Sequence, residues 1–217
     1  MNEEIKAIIE KNKVIAIVRG QYDEALLGLA KALYEGGIRM LEVTFDQSDS
    51  ENLIKTPEAI RLICETLPGL LAGAGTVMTT AQVDAAISGG AKYIISPNTD
   101  EEVIRYTKMK KLVSIPGAMT PSEIATAHKY GADYVKIFPV CDLGSDYIKN
   151  IRTPLSHIKL LATGGVTEQN FAEFLNAGMV GAGISGRLTD KKLVAEGNFD
   201  ELTKRAEAFM KIARKNG

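Results

Sequence analysis

The chain has 217 residues, 45% hydrophobic and 24% charged, with 26 basic and 27 acidic side chains and a formal charge of -1. These proportions are globular averages and exclude a disordered chain, while the scatter of Lys and Arg excludes the basic footprint of a nucleic-acid binder. Two cysteines, Cys64 and Cys141, cannot build a disulfide framework, and MNEEIKAIIEKNK lacks the apolar centre of a signal peptide. Apolar runs such as Val14–Val18 are too short to span a bilayer. The expectation is a soluble cytoplasmic protein that engages neither membrane nor nucleic acid.

After an N-terminal helix, short apolar runs alternate with amphipathic stretches along the whole chain. The runs predict strands over Val14–Val18, Met40–Thr44, Leu70–Gly73, Tyr93–Ser96, Leu112–Ile115, Tyr134–Phe138, Lys159–Ala162 and Val180–Gly183. Helical patterns between them cover Tyr22–Glu35, Pro57–Thr66, Ala81–Ser88, Asp100–Lys108, Pro121–Lys129, Glu168–Asn176 and Phe199–Arg214. Asp23, Thr80 and Thr120-Pro121-Ser122-Glu123 read as helix starts, and Gly36-Gly37, Gly89-Gly90, Gly131 and Gly178 as helix ends. Near-continuous apolar strands alternating with helices mean a parallel sheet covered on both faces. Eight of them in this length predict an α/β protein, a single-domain (β/α)8 TIM barrel spanning 1–217. An open doubly wound sheet is the alternative, but Arg19-Gly20-Gln21 is no dinucleotide-binding turn.

A barrel builds its active site at the C-terminal ends of its strands. Two strand residues stand out there. Glu42 lies in Met40-Leu41-Glu42-Val43-Thr44 and Lys136 in Tyr134-Val135-Lys136-Ile137-Phe138. A charge inside a buried strand is costly unless it is paired or titrates. The second and sixth of eight strands are diametrically opposed, so both side chains reach the axis. One reading is a structural ion pair. The other is a Schiff-base lysine, its ammonium form disfavoured by apolar neighbours, with Glu42 as the base that moves protons around the imine. No cofactor is expected and no metal. The two histidines, His128 and His157, miss the strand ends and read as surface or packing residues.

Gly164-Gly165 after the seventh strand and Ser185-Gly186 after the eighth suit a phosphate, through loop amides and a hydroxyl. Arg19, directly after the first strand, is a candidate clamp for a carboxylate or a support for the phosphate, against a plain rim salt bridge. Thr76 supplies a hydroxyl from strand three. Pro97-Asn98 and Pro116-Gly117 read as shaped walls.

GGIRMLEVTF, GAGTV, ISPN, PGAMTPSE, VKIFP, ATGGV and the Gly-x-Ser after strand eight together resemble the 2-keto-3-deoxy-6-phosphogluconate / 4-hydroxy-2-oxoglutarate aldolase family, over about Val14 to Ser185. The resemblance implies a class I aldolase that cleaves a 2-keto-3-deoxy-6-phospho sugar acid to pyruvate and glyceraldehyde 3-phosphate. It makes Lys136 the Schiff-base residue and Glu42 the general acid/base, with Phe138 packed beside the lysine. It places Thr76 and Pro97 at the pyruvate end, and Gly164, Gly165 and Ser185 on the phosphate. It also implies a homotrimer. Two positions depart from the pattern: Asp46 stands where one branch has an arginine, another branch's arginine being matched by Arg19, and Gly186-Arg187 replaces a common tryptophan. The relative acting on the galactonate epimer tends to carry valine where this chain has Thr163. A hydroxyl there favours the gluconate epimer. The rival classes are a non-catalytic phosphosugar-binding barrel and a phosphosugar isomerase, whose acid/base or metal groups are not found.

Overall fold

The computed structural model describes residues 2–216. Helix α1 (Asn2–Asn12) precedes β1 (Val14–Val18), α2 (Glu24–Glu35), β2 (Met40–Thr44), α3 (Asn52–Thr66), β3 (Leu71–Gly75) and α4 (Thr80–Gly89). There follow β4 (Tyr93–Ile95), α5 (Glu101–Met109), β5 (Val113–Ile115), β6 (Gly117–Ala118), α6 (Pro121–Lys129) and β7 (Val135–Ile137). The chain closes with α7 (Gly144–Arg152), β8 (Leu160–Thr163), α8 (Phe171–Asn176), β9 (Gly181–Ile184), α9 (Lys191–Ala195) and α10 (Phe199–Lys215).

All strands are parallel and run in the order β5-β4-β3-β2-β1-β9-β8-β7-β6. The sheet is a TIM barrel in which the predicted fifth strand is two short ones. Pro116 has no N–H to donate, and on either side of it the chain changes partner, β5 pairing with β4 and β6 with β7. β5 and β6 together close the ring between β4 and β7. Counting them as one, β2 and β7 stand on opposite sides.

Boundaries differ from expectation where one local signal misleads. The helix expected from Pro57 begins at Asn52. Proline is tolerated there because the missing bond falls in the helix's first turns, where Leu53 and Ile54 are solvent-exposed. The cap of α4 is Thr79, not Thr80. The helix expected from Glu168 begins at Phe171, because Asn170 folds the preceding residues into a turn, accepting from Thr167 N–H and donating to Gly165 O. The last expected strands shift one residue toward the mouth, so Thr163 and Ile184 are strand residues. The paired glycines behave as expected: Gly37, Gly90, Gly131 and Gly178 all take positive φ, where a side chain would be strained.

One apolar layer lies between sheet and helices, and a second fills the barrel itself. Ile5 and Ile9 of α1 plug the lower end against Ile15, Met40, Tyr93 and Tyr134. Lys6 pairs with Asp133 at 2.9 Å, and Glu10 takes Lys159 and the Tyr134 hydroxyl, so α1 is tied to the base. With α1 packed on the lower end, the site is to be sought at the C-terminal ends of the strands.

Candidate active site

Strand alternation carries Glu42 and Thr44 from β2 and Lys136 from β7 onto the barrel's inner face. Space for Glu42 comes from β3. A Cβ at Gly75 would lie 1.7 Å from Glu42 Oε1, and one at Gly73 would lie 2.2 Å from the Tyr93 ring. The expected strand ended at Gly73. The observed strand runs on to Gly75, and both glycines leave room for an inward side chain from the strand beside them.

Glu42 is 2% exposed and Lys136 is 7% exposed. Glu42 Oε2 is buried with no hydrogen-bond partner, and so is Thr44 Oγ1. Burial pushes the Glu42 carboxyl up, opposed by the charges of Lys136 and Arg19. Burial likewise pulls the Lys136 amine down; Glu42 opposes this and Arg19 adds to it. The two groups feel each other through space, yet Lys136 forms no ion pair among the described residues, the ion pairs lying elsewhere. A closed structural salt bridge is therefore not what fills the mouth. The Lys136 ammonium sits 4.8 Å from the centroid of the Phe138 ring, which is 40% exposed at the entrance.

The remaining expected residues lie at or just beyond the C-terminal ends of the strands. Arg19 is exposed and lines a cavity of about 390 Å³ with Ser185, Gly186, Thr189, Asp190 and Lys191. It pairs with no carboxylate among the described residues, so the rim salt bridge is absent there. Thr163 is buried on the inner face, its Oγ1 2.9 Å from where a Cβ on Gly183 would stand. Gly164 and Gly165 both take positive φ, and Cys141 packs so closely on Gly165 that a Cβ there would meet it at 2.3 Å. The N–H groups of Gly165 and Gly186 have no acceptor among the described residues. Pro97 is half-buried, with its carbonyl against Gly117. Thr76 has φ 55, a strained setting for a β-branched residue.

Arg187 neither reaches an anion site nor points free into solvent: it holds Glu168 through two 3.0 Å bonds. Asp46, exposed, accepts from Ser48 in a local turn. His128 and His157 stack edge-to-face 5.2 Å apart, away from the strand ends. Among the described residues no three His, Cys, Asp or Glu are grouped to hold a metal, and no helix is long and apolar enough to cross a membrane. Thr44 falls beside Glu42 at the strand end as the alternation of β2 requires, whereas sequence reading missed Gln82 and Gln47, which bond to each other. The Thr79-x-x-Gln82 spacing was a legible signal for Gln82.

A family profile described as KDPG and KHG aldolase matches residues 5–205. The "Probable 2-dehydro-3-deoxy-6-phosphogalactonate aldolase" of Rhizobium meliloti is 37% identical over 176 residues, 81% of each chain. The "2-dehydro-3-deoxy-phosphogluconate aldolase" of Treponema pallidum is 30% identical over 205 residues, 94% of this chain and 95% of that one. Among solved structures, KDPG aldolase from Legionella pneumophila, "with pyruvate captured at low pH as a covalent carbinolamine intermediate", superposes with a TM-score of 0.84 at 28% identity, over 94% of this chain and 96% of the other. Barrel and relatives together define the class, an aldolase acting as a carbon–carbon lyase. Within it, the chain belongs to the KDPG and KHG aldolase family.

Proposed function

We propose that the whole chain acts as one barrel domain and a class I aldolase, cleaving a 2-keto-3-deoxy-6-phospho sugar acid to pyruvate and glyceraldehyde 3-phosphate. The observation that carries this reading is an amine and a carboxylate, both nearly buried, that face one another without closing an ion pair. Phosphate binding alone has no use for such a pair. Burial disfavours the ammonium and so raises the fraction of Lys136 Nζ present as the free amine that attacks the substrate's C2 carbonyl. Loss of water from the carbinolamine gives an iminium. Glu42 takes the C4 hydroxyl proton as the C3–C4 bond breaks, the bonding electrons passing to C3 and the iminium. Reprotonation at C3 and hydrolysis of the imine then release pyruvate and restore the amine.

Thr76 and Pro97 border the pyruvate end, and Phe138 stacks on the lysine and shields it from water. The free amides of Gly165 and Gly186, with Gly164 and the Ser185 hydroxyl, receive the phosphate. Arg19 stands beside Ser185 and acts on the charges of both Lys136 and Glu42. It serves the carboxylate from the rim. The smaller 4-hydroxy-2-oxoglutarate fits the same chemistry without the phosphate contacts. Thr163, a hydroxyl on the inner face, favours the gluconate epimer; the 37%-identical relative favours the galactonate reading. The protein works in the cytoplasm without a cofactor, as a homotrimer for which exposed Leu53 and Ile54 offer an apolar edge.

The test is reductive trapping. Borohydride added with pyruvate should fix one reduced pyruvoyl unit on Lys136, located by peptide mass, with activity unchanged by chelators. An adduct on another lysine, or activity abolished by chelator, would refute the imine mechanism.

A further inference from the structure

Gln82 and Gln47 form a hydrogen-bonded relay that ends on Thr76. Gln82 is 4% exposed. Its Oε1 accepts from the Met78 backbone N–H at 2.7 Å, and its Nε2 donates to Gln47 Oε1 at 3.0 Å. Gln47 Nε2 in turn donates to the Thr76 carbonyl at 2.7 Å. Neither amide can be turned round. A backbone N–H at one end demands an acceptor, and a backbone C=O at the other demands a donor.

Helix α6 supplies a comparison within the same barrel. Both α4 and α6 start at a threonine cap, Thr79 and Thr120, whose side chain accepts from the third helical residue. At α6 that third residue is Glu123. Its Oε2 accepts from the N–H groups of Met119 and Thr120 and from the Thr120 hydroxyl. A helix start needs only an acceptor here, and a carboxylate also suits the positive end of the helix dipole. At α4 the third residue is Gln82, which gives up that charge. What the amide adds is a donor, and the donor is used on Gln47. Capping does not account for it.

The relay joins two loops of the active site. Gln47 follows β2, the strand that carries Glu42. Thr76 follows Gly75, the residue on which Glu42 rests. A β-branched residue at φ 55 persists only where its surroundings over-determine it. We propose that Gln82 and Gln47 are positioning residues for the aldolase reaction, holding Thr76 in the left-handed conformation that presents its hydroxyl to the keto-acid end of the substrate. This rests on the reading of Thr76 as a pyruvate-end residue.

Gln82→Glu keeps the acceptor for Met78 and adds a favourable charge at the helix start, but it removes the donor to Gln47. Its Tm should match wild type. The pyruvate concentration giving half-maximal borohydride trapping should rise roughly five- to tenfold, with the limiting trapping rate held. Gln47→Met should do the same without touching α4. Thr76→Val, which keeps shape and loses the hydroxyl, should weaken pyruvate on its own, and Gln82→Glu should add nothing in that background. If Thr76→Val is impaired while Gln82→Glu and Gln47→Met behave as wild type, or if the losses add fully, the positioning role is overturned and the Thr76 reading stands. If Thr76→Val is silent, the Thr76 reading fails and the relay's role falls with it.

Discussion

Gly75→Ala should disable catalysis through a single methyl group. A Cβ at residue 75 would lie 1.7 Å from Glu42 Oε1, 2.4 Å from Cδ and 2.6 Å from Cγ. That first distance is half the roughly 3.4 Å of an ordinary contact, so the carboxylate must withdraw by about 1.7 Å. Glu42 is buried and β2 is paired on both sides, so the side chain has little room to retreat. A misplacement of about 1 Å costs on the order of 100-fold in a positioned reaction. The loss should therefore approach that of Glu42→Gln, roughly 10²–10⁴-fold for a missing acid/base. Overpacking should also cost about 1–3 kcal/mol of stability. The assay is pyruvate release from the phosphorylated substrate, with thermal unfolding followed in parallel. Gly186→Ala, where an added Cβ meets nothing within 4 Å, is the stability control and should melt like wild type. Turnover of Gly75→Ala within about twofold of wild type, in a folded protein, would show that Glu42 is not the proton carrier.

The rate of pyruvate trapping should rise with pH, because only the free amine attacks. Burial and Arg19 lower the Lys136 pKa, so the midpoint lies below the ordinary 10.5; Arg19→Met removes a cation, moves it upward and should do so less in high salt, whereas a midpoint at 10.5 in wild type would contradict the buried-amine reading. Ser185→Ala should lower kcat/KM for the phosphorylated substrate tenfold or more, by about 1.5–3 kcal/mol, and leave 4-hydroxy-2-oxoglutarate nearly untouched. Arg187→Ala should spare both, since Arg187 is held by Glu168; equal Ser185→Ala losses on the two substrates would move the phosphate elsewhere. Thr163→Val should shift the ratio of kcat/KM for the two C4 epimers toward the galactonate substrate, and an unmoved ratio would remove the reason for assigning the gluconate one.

The strand pattern was legible because it depends on local facts. Buried strands must be apolar, helices must stop at residues that tolerate positive φ, and period 2 put Glu42 and Lys136 on inward faces before any coordinates. Eightfold closure followed from counting, and with it the opposition of β2 and β7. Other features needed the third dimension. Pro116 interrupts a ladder only once there are neighbours to pair with, so two strands read as one. The room around Glu42 belongs to Gly73 and Gly75, more than thirty positions away, and no window on either strand reveals that they share a face. Nothing local joins Arg187 to Glu168, 19 positions earlier, and the fold brings them together. Gln47 and Gln82 are ordinary polar residues in sequence, 35 positions apart, and become a relay because adjacent barrel loops are adjacent in space. The sequence by itself determined the buried apolar strands and most of the helices, since burial and backbone preference act over a few residues, but it marked neither α7 nor α9 and did not single out Gln82 as buried. The tertiary structure decided which charges stay unpaired, because pairing depends on distance through space rather than along the chain.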